Sequence, residues 1–325
     1  MTTSILFVTD YGPAVGQGHL VRAAALAEYL EAHYDIRPVF LLSGGGPRPE
    51  LPWQQFASLT PDIEKVVASV RFACKADAVV FDLERGAPSN PERWAAEPAK
   101  TIAMIGAGYK AVGGETCDLT FVQGIPDPPV TASNCFAGPE YVVLRDEFAI
   151  EPVKPELRQP GRVFVCGGGA DPLDITALAC DVLNSMAVRQ VDVVIGPFYK
   201  GKVTDGYLRS DRFFLHRNID NPFHLMRQCG MAIVSYGMTA LECLACGLPT
   251  LAISMSDDHE ASAAALAGAL VSVGQPKNLN LTILHNWISS FLHDSCIRLA
   301  YSAEARRTID GRGAERVAAK IMELL

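Results

Sequence analysis

The sequence is short of basic charge: 28 Lys and Arg stand against 36 Asp and Glu, a formal net charge of −8. A surface that covers nucleic-acid phosphates needs the opposite balance, so no nucleic-acid partner is expected, and an anionic ligand must be held by local devices. Long apolar runs are missing as well. Stretches such as Met231 to Val234 and Ala263 to Val273 are short or broken by Ser and Gly. They fall below the roughly 20 residues of a membrane-spanning helix, so no membrane span is expected. No basic segment with a small-residue cleavage site precedes Ile5 to Val8, which reads as a first strand, and a cytoplasmic location is the expectation. The nine cysteines are odd in number and scattered, against a disulfide framework. The single Cys-x-x-Cys, Cys243 to Cys246, has no second Cys or His pair nearby, so no metal site is expected.

What is present is apolar material for two domains. Of 325 residues, 49% are hydrophobic and 20% charged, which excludes disorder as the main state and suits two units of about 150 residues each. Short β-branched runs at Ile5 to Val8, Val39 to Leu42, Ala78 to Phe81 and Thr101 to Ile105 alternate with helical patterns. That alternation predicts parallel βαβ units. The Pro-rich stretch Glu151 to Gly161 reads as a linker, and a second series follows at Val163 to Cys166, Val191 to Ile195, Phe213 to Leu215, Ala232 to Val234 and Thr250 to Ile253. Helices are predicted around Asp174 to Met186 and Thr239 to Ala245, and the tail from Leu279 to Leu325 reads as two or three helices broken near Gly311 to Gly313. The expected boundaries are 1–155 for an N-terminal Rossmann-like domain and 156–325 for a C-terminal one that carries the tail. The ligand is expected at strand C-termini in a cleft between them.

Three motifs carry chemistry. Gly16-Gln17-Gly18-His19-Leu20-Val21-Arg22 follows the first strand and opens a helix running to about Ala32. Val21 stands where a dinucleotide fingerprint needs its third glycine, which argues against NAD. A His at a helix start meets the positive helix end, which disfavours imidazolium and leaves the ring able to take a proton. Arg22, one turn on, suits either a carboxylate or phosphate contact or a structural ion pair. Gly167-Gly168-Gly169-Ala170-Asp171-Pro172 lies between a strand and a helix, and its exposed amides together with the helix end suit a diphosphate; Asp171 is equally suited to capping that helix. In the third motif, Ser235 to Pro249, a strand ends in Ser235-Tyr236-Gly237 and Thr239 begins a helix that carries Glu242 one turn later. A carboxylate there can accept hydrogen bonds from vicinal ribose hydroxyls, or simply favour the helix dipole.

Together these motifs resemble the GT-B fold: two Rossmann-like α/β domains facing a central cleft. The third is similar to the nucleotide-sugar site of the family that contains the UDP-GlcNAc transferase of peptidoglycan synthesis. With Tyr141-Val142-Val143-Leu144-Arg145-Asp146-Glu147-Phe148 added, the chain more closely resembles the pseudaminic-acid pathway UDP-sugar hydrolases and the related spore-coat polysaccharide proteins. The resemblance implies that His19 is the catalytic base, that Gly168, Gly169, Gly237, Met238 and Thr239 line a diphosphate beside Ser235, that Glu242 contacts ribose, and that Ile219 sits where backbone groups read uracil. It also implies no cofactor and no metal. Departures fall on the sugar side: Asp82-Leu83-Glu84-Arg85 replaces Asp-His-Tyr, Ile105-Gly106-Ala107-Gly108 replaces paired aspartates, and Asp258-His259 replaces Asn-Gln. Asp10, Gly18, Arg22, Asp82, Glu84 and His259 are the candidates for sugar or acceptor contacts.

The expected reaction is metal-independent cleavage of the anomeric C–O bond of a UDP-sugar. Hydrolysis in nonulosonic acid or surface polysaccharide synthesis is the first expectation, because Tyr141 to Phe148 belongs to that resemblance. Transfer of the sugar to an acceptor hydroxyl is the alternative, and a non-catalytic sugar-nucleotide binding subunit the third.

Overall fold

The computed structural model describes residues 2–47, 49–58, 63–84, 99–106, 117–124, 133–151, 153–204, 207, 211–217, 219 and 221–325. The chain divides into two compact units: Met1–Asp146 with Arg312–Leu325, and Glu147–Gly311.

The first unit is built on strands β1 (Ser4–Tyr11), β2 (Arg37–Gly44), β3 (Gln54–Ser58), β4 (Ala78–Asp82), β5 (Lys100–Ile105), β6 (Leu119–Gln123) and β7 (Cys135–Gly138), with helices α1 (Gly18–Tyr34) and α2 (Ile63–Cys74) between strands. They pair in the order β3-β2-β1-β4-β5-β6-β7, and every pairing is parallel. Parallel strands covered on both faces need near-continuous apolar sequence, and β4, Ala78-Val79-Val80-Phe81-Asp82, is buried throughout. Leu6, Val8, Val39, Leu41, Val79 and Phe81 pack in one core cluster.

The second unit repeats the plan with β8 (Gln159–Cys166), α3 (Ile175–Asn184), β9 (Gln190–Ile195), β10 (Phe213–Arg217), α4 (Phe223–Gln228), β11 (Cys229–Ser235), α5 (Met238–Ala245), β12 (Thr250–Ile253), α6 (Asp257–Ala265) and β13 (Val271–Ser272), followed by α7 (Leu281–His293) and α8 (Ser295–Thr308). The order is β10-β9-β8-β11-β12-β13, again all parallel. In both sheets chain order reverses beside the first strand, between β1 and β4 and between β8 and β11. The crevice outside the C-terminal ends of strands at such a reversal is where open α/β sheets hold ligands.

The predicted strands are all present. The predicted boundary is corrected on two counts. The break falls at Asp146/Glu147, and the stretch from Glu151 enters the second unit, where Gln159-Pro160 already begins β8. The final helix, α9 (Gly313–Leu324), belongs to the first unit. It packs on α1, with Val317, Ala318 and Ile321 fully buried. Among the described residues, no helix is long and apolar enough to cross a membrane.

Candidate functional site

In the first unit, β1 ends in a loop closed by reciprocal main-chain bonds between Gly12 and Gly16, 2.9 and 2.7 Å. Gly12 has φ +135° and lies so close to the β2 loop that a Cβ would stand 2.5 Å from the Gly45 carbonyl oxygen. This tight turn delivers Gly18 as the first residue of α1 and His19 as the second, and no side chain caps the helix start. Asp10, on β1, bonds the Nδ1 of His19. A carboxylate only accepts, so Nδ1 carries the hydrogen, and in the neutral ring the lone pair is at Nε2. The second Asp10 oxygen accepts the Glu84 amide at 2.8 Å.

Asp10, expected as a sugar or acceptor candidate, is bonded here to His19 and to the Glu84 amide. Arg22 and Asp82, also candidates for such contacts, pair with each other, the structural use that the sequence left open for Arg22. Arg22 Nε and Nη2 donate to the two Asp82 oxygens at 2.7 and 2.5 Å, with Arg22 3% and Asp82 0% exposed. Gly106 backs onto this pair, and a Cβ there would lie 2.9 Å from Arg22 Nη1. Glu84 keeps an exposed side chain and remains a candidate contact. Arg85, Ala107 and Gly108 lie outside the described residues.

In the second unit, the loops after β8 and β11 meet. Ser235 Oγ donates to the Gly167 carbonyl at 3.0 Å, and a Cβ on Gly168 would lie 3.3 Å from the Ser235 Oγ. Of the two uses the sequence left open for Asp171, the structure shows the helix cap, at α3. Asp171 accepts from the Ile175 and Thr176 amides at 2.8 and 2.9 Å and from the Thr176 hydroxyl at 2.6 Å. Thr176 Oγ1 in turn accepts the Gly167 amide. The glycine at 167 makes room for this cap, since a Cβ would stand 2.1 Å from an Asp171 oxygen. Gly169 packs against Gly196, whose Cβ would lie 2.4 Å from the Gly169 carbonyl oxygen.

The α5 end is different. Its N-cap is Gly237 at φ +155°, ψ −159°, with no side-chain cap, and a Cβ there would meet nothing within 4 Å. The first-turn amides of Met238, Thr239 and Ala240 lack intrahelical acceptors by construction, and the helix dipole makes such an end a seat for an anion. Thr239 reaches the thiol of Cys166, which burial pushes up to about 11, so β8 and the α5 end are in contact. Glu242, 5% exposed, follows at the start of the second turn.

His259 lies on the first turn of α6, where its amide donates to the capping Ser256 hydroxyl. Its ring meets Tyr236 edge-on, centroids 5.9 Å apart; Nδ1 is buried and unpartnered among the described residues. Burial lowers its pKa, only partly offset by Asp258, so the ring is neutral near pH 7. Tyr236 directly precedes Gly237, which brings His259 into the α5 neighbourhood. Ile219 is half-buried, and its neighbours Asn218 and Asp220 lie outside the described residues. Sequence reasoning missed the contact of Asn221 with Glu147 and the edge-on packing of Phe148 on Phe223 at 5.0 Å. The Asn221 side chain also accepts the Phe223 amide at 2.9 Å, and an Asn two residues before an apolar helix start is a signal for that.

A cavity of about 260 Å³ in this unit is lined by Arg158, Pro160, Gly230, Pro249, Arg298 and Ser302, among others. It opens at the N-terminal ends of β8, β11 and β12, a strand's length from the glycine loops, and is not part of this site. Among the described residues, no group of three or more His, Cys, Asp or Glu side chains could hold a metal ion.

No family model matches the chain. An uncharacterized protein of Methanocaldococcus jannaschii is 30% identical over 137 residues, 38% of this chain and 27% of that protein. The spore coat polysaccharide biosynthesis protein SpsG of Bacillus subtilis is 23% identical over 97% of this chain and 96% of its own. Among solved structures, MurG of Acinetobacter baumannii superposes with a TM-score of 0.65 at 12% identity, covering 99% of both chains. The glycotransferase of kitacinnamycin gives 0.68 at 14% identity, also over 99% of both. UDP-GlcNAc 2-epimerase of Neisseria meningitidis, bound to UDP-GlcNAc, gives 0.65 at 11% identity over 99% of this chain and 100% of its own. Whole-chain agreement of this kind, with two parallel Rossmann-like sheets, makes the fold GT-B.

Proposed function

We propose that the protein binds a UDP-sugar and cleaves its anomeric C–O bond, passing the sugar to an acceptor hydroxyl. The observation that carries this reading is the His19–Asp10 dyad: a base held at the C-terminal end of β1, at the reversal point of the first sheet. The uncapped α5 end at the reversal of the second sheet, flanked by Gly168, Ser235 and Glu242, is suited to the diphosphate and ribose. The fold is shared with a glycotransferase and with an epimerase that holds UDP-GlcNAc, and a full-length relative is named for polysaccharide biosynthesis.

His19 Nε2 takes the proton of the acceptor hydroxyl as its oxygen attacks the anomeric carbon. The bond to the β-phosphate oxygen breaks, and its electron pair leaves with UDP. Asp10 stabilises the imidazolium that forms, and the amides of Met238 to Ala240 meet the charge growing on the diphosphate. Hydrolysis is the second reading, with water as the nucleophile. Its support was the Tyr141 to Phe148 resemblance, yet Val142, Val143, Leu144 and Phe148 are buried and Glu147 ties down Asn221. Packing thus accounts for those five residues.

The test is UDP release from a panel of UDP-sugars, with and without candidate acceptors, for the wild type and His19→Ala. Acceptor-dependent release reduced about 10²–10⁴-fold in the variant is the expected result. Release without acceptor makes the protein a hydrolase; binding without turnover, unchanged by the substitution, makes it a sugar-nucleotide binding subunit.

A further inference from the structure

We propose that Arg22 and Asp82 form a positioning pair that sets the placement of the His19–Asp10 dyad from the end of β4. The kinetic part of this inference rests on His19 acting as the base proposed above.

The C-terminal end of β4 makes two separate links. Through Asp82 it grips Arg22, one turn after His19 on α1, by two hydrogen bonds of 2.7 and 2.5 Å. Two residues later the Glu84 amide holds Asp10, the carboxylate bonded to His19. One short segment thereby fixes both the helix that carries the imidazole and the group that sets its tautomer.

The pair is held to this geometry. Asp82 is 0% and Arg22 3% exposed, so neither has water as an alternative partner, and Gly106 approaches so closely that any side chain there would displace Nη1. A carboxylate and a guanidinium joined bidentately are rigid in plane as well as distance. Burial of Leu20, Ala23, Leu26 and Leu30 holds α1 on the sheet, and the bidentate pair adds a directional link at the turn next to His19. Arg22 and Asp82 touch neither substrate nor reacting atoms in this assignment. They act through the orientation of His19, where a misplacement of about 1 Å can cost about 10²-fold in rate.

The experiment combines kinetics with the nitrogen-15 spectrum of the His19 ring in full-length protein. Asp82→Asn and Arg22→Lys each keep a hydrogen-bonding partner and remove the bidentate fit. Expected are a fall in kcat of about 10²-fold, a KM for the sugar nucleotide within about two-fold of wild type because the α5 end is untouched, and a His19 ring that loses its single Nδ1–H tautomer while the melting transition stays cooperative. Because breaking a buried pair on one side can unfold a protein, the double variant Arg22→Met with Asp82→Leu, which leaves no lone charge, and Gly106→Ala, which crowds the guanidinium, are measured in parallel. Folded variants with the wild-type His19 spectrum, or with KM raised and kcat kept, overturn the proposal. If the wild type turns over no UDP-sugar but these variants still change the His19 tautomer, the positioning stands and the proposed reaction falls.

Discussion

At the scale of single residues, the site depends on what each side chain is prevented from doing. Asp10 bonds His19 with one oxygen and the Glu84 amide with the other, so its position is tied to the ring. Asp10→Asn keeps the shape but offers an amide that can donate to Nδ1, which then presents the hydrogen at Nε2 and blocks the base. The expected loss in kcat approaches that of His19→Ala, about 10²–10⁴-fold, with melting little changed because the amide keeps a hydrogen-bond partner for both the ring and the Glu84 amide; steady-state kinetics and calorimetry check both. His259 is constrained by burial, which lowers its pKa from 6.5. Its unfolded state therefore binds a proton at a pH where the folded state does not. Stability is full above about pH 6.5 and is lost as the pH falls from there toward the folded value. His259→Phe keeps the ring against Tyr236 and removes the titrating group. The wild-type decline in melting temperature between pH 7 and 5 should shrink in this variant, and an unchanged decline would assign it to other groups.

At the scale of elements, the two phosphate-suited helix starts diverge for a reason visible in their loops. At α3 Gly167 admits the Asp171 carboxylate, which takes the first amides of the helix. At α5 the glycine admits no neighbour; it is there for its backbone angles, which other residues reach only under strain. Gly237→Ala should weaken UDP binding about ten-fold, the equivalent of roughly 1.4 kcal/mol, by shifting the first-turn amides, and titration calorimetry reads it directly. This contrast also marks how much was legible. Both Gly-rich motifs and the His-bearing helix are local, so their spacing exposes them. Strands buried on both faces are near-continuous apolar runs and were read, whereas β3 carries Gln54 and Gln55 half in solvent and β13 is two residues long. α6 opens Asp-Asp-His-Glu and continues in alanine, with no apolar stripe to announce it. Arg22 and Asp82 stand 60 positions apart, and no periodicity joins residues that only a parallel crossover brings together. Asp171 was open between cap and ligand contact because both uses need the same residue type at the same place.

At the scale of the whole molecule, the chain completes its first unit last. α9 returns to pack on α1, the helix that carries His19, after the second unit has been built in between. Its return is set by two glycines. Gly311, at φ +79°, lies where a Cβ would be 2.2 Å from the Phe148 carbonyl oxygen, and Gly313 where it would be 2.0 Å from that of Val142. Val317 and Ile321 are fully buried, and burying two such side chains contributes about 3–6 kcal/mol. A domain is typically stable by only about 5–15 kcal/mol, so the first unit has little margin without this helix, whereas the second unit loses none of its own residues. A chain ending at Gly311 should therefore show two separate calorimetric transitions, the first unit melting well below the second and the second close to its temperature in the full protein. The same truncation removes the support behind α1, so it should abolish turnover under conditions where UDP binding to the second unit persists. Loss of both together would mean that the first unit's fold is needed to hold the nucleotide seat as well as the base.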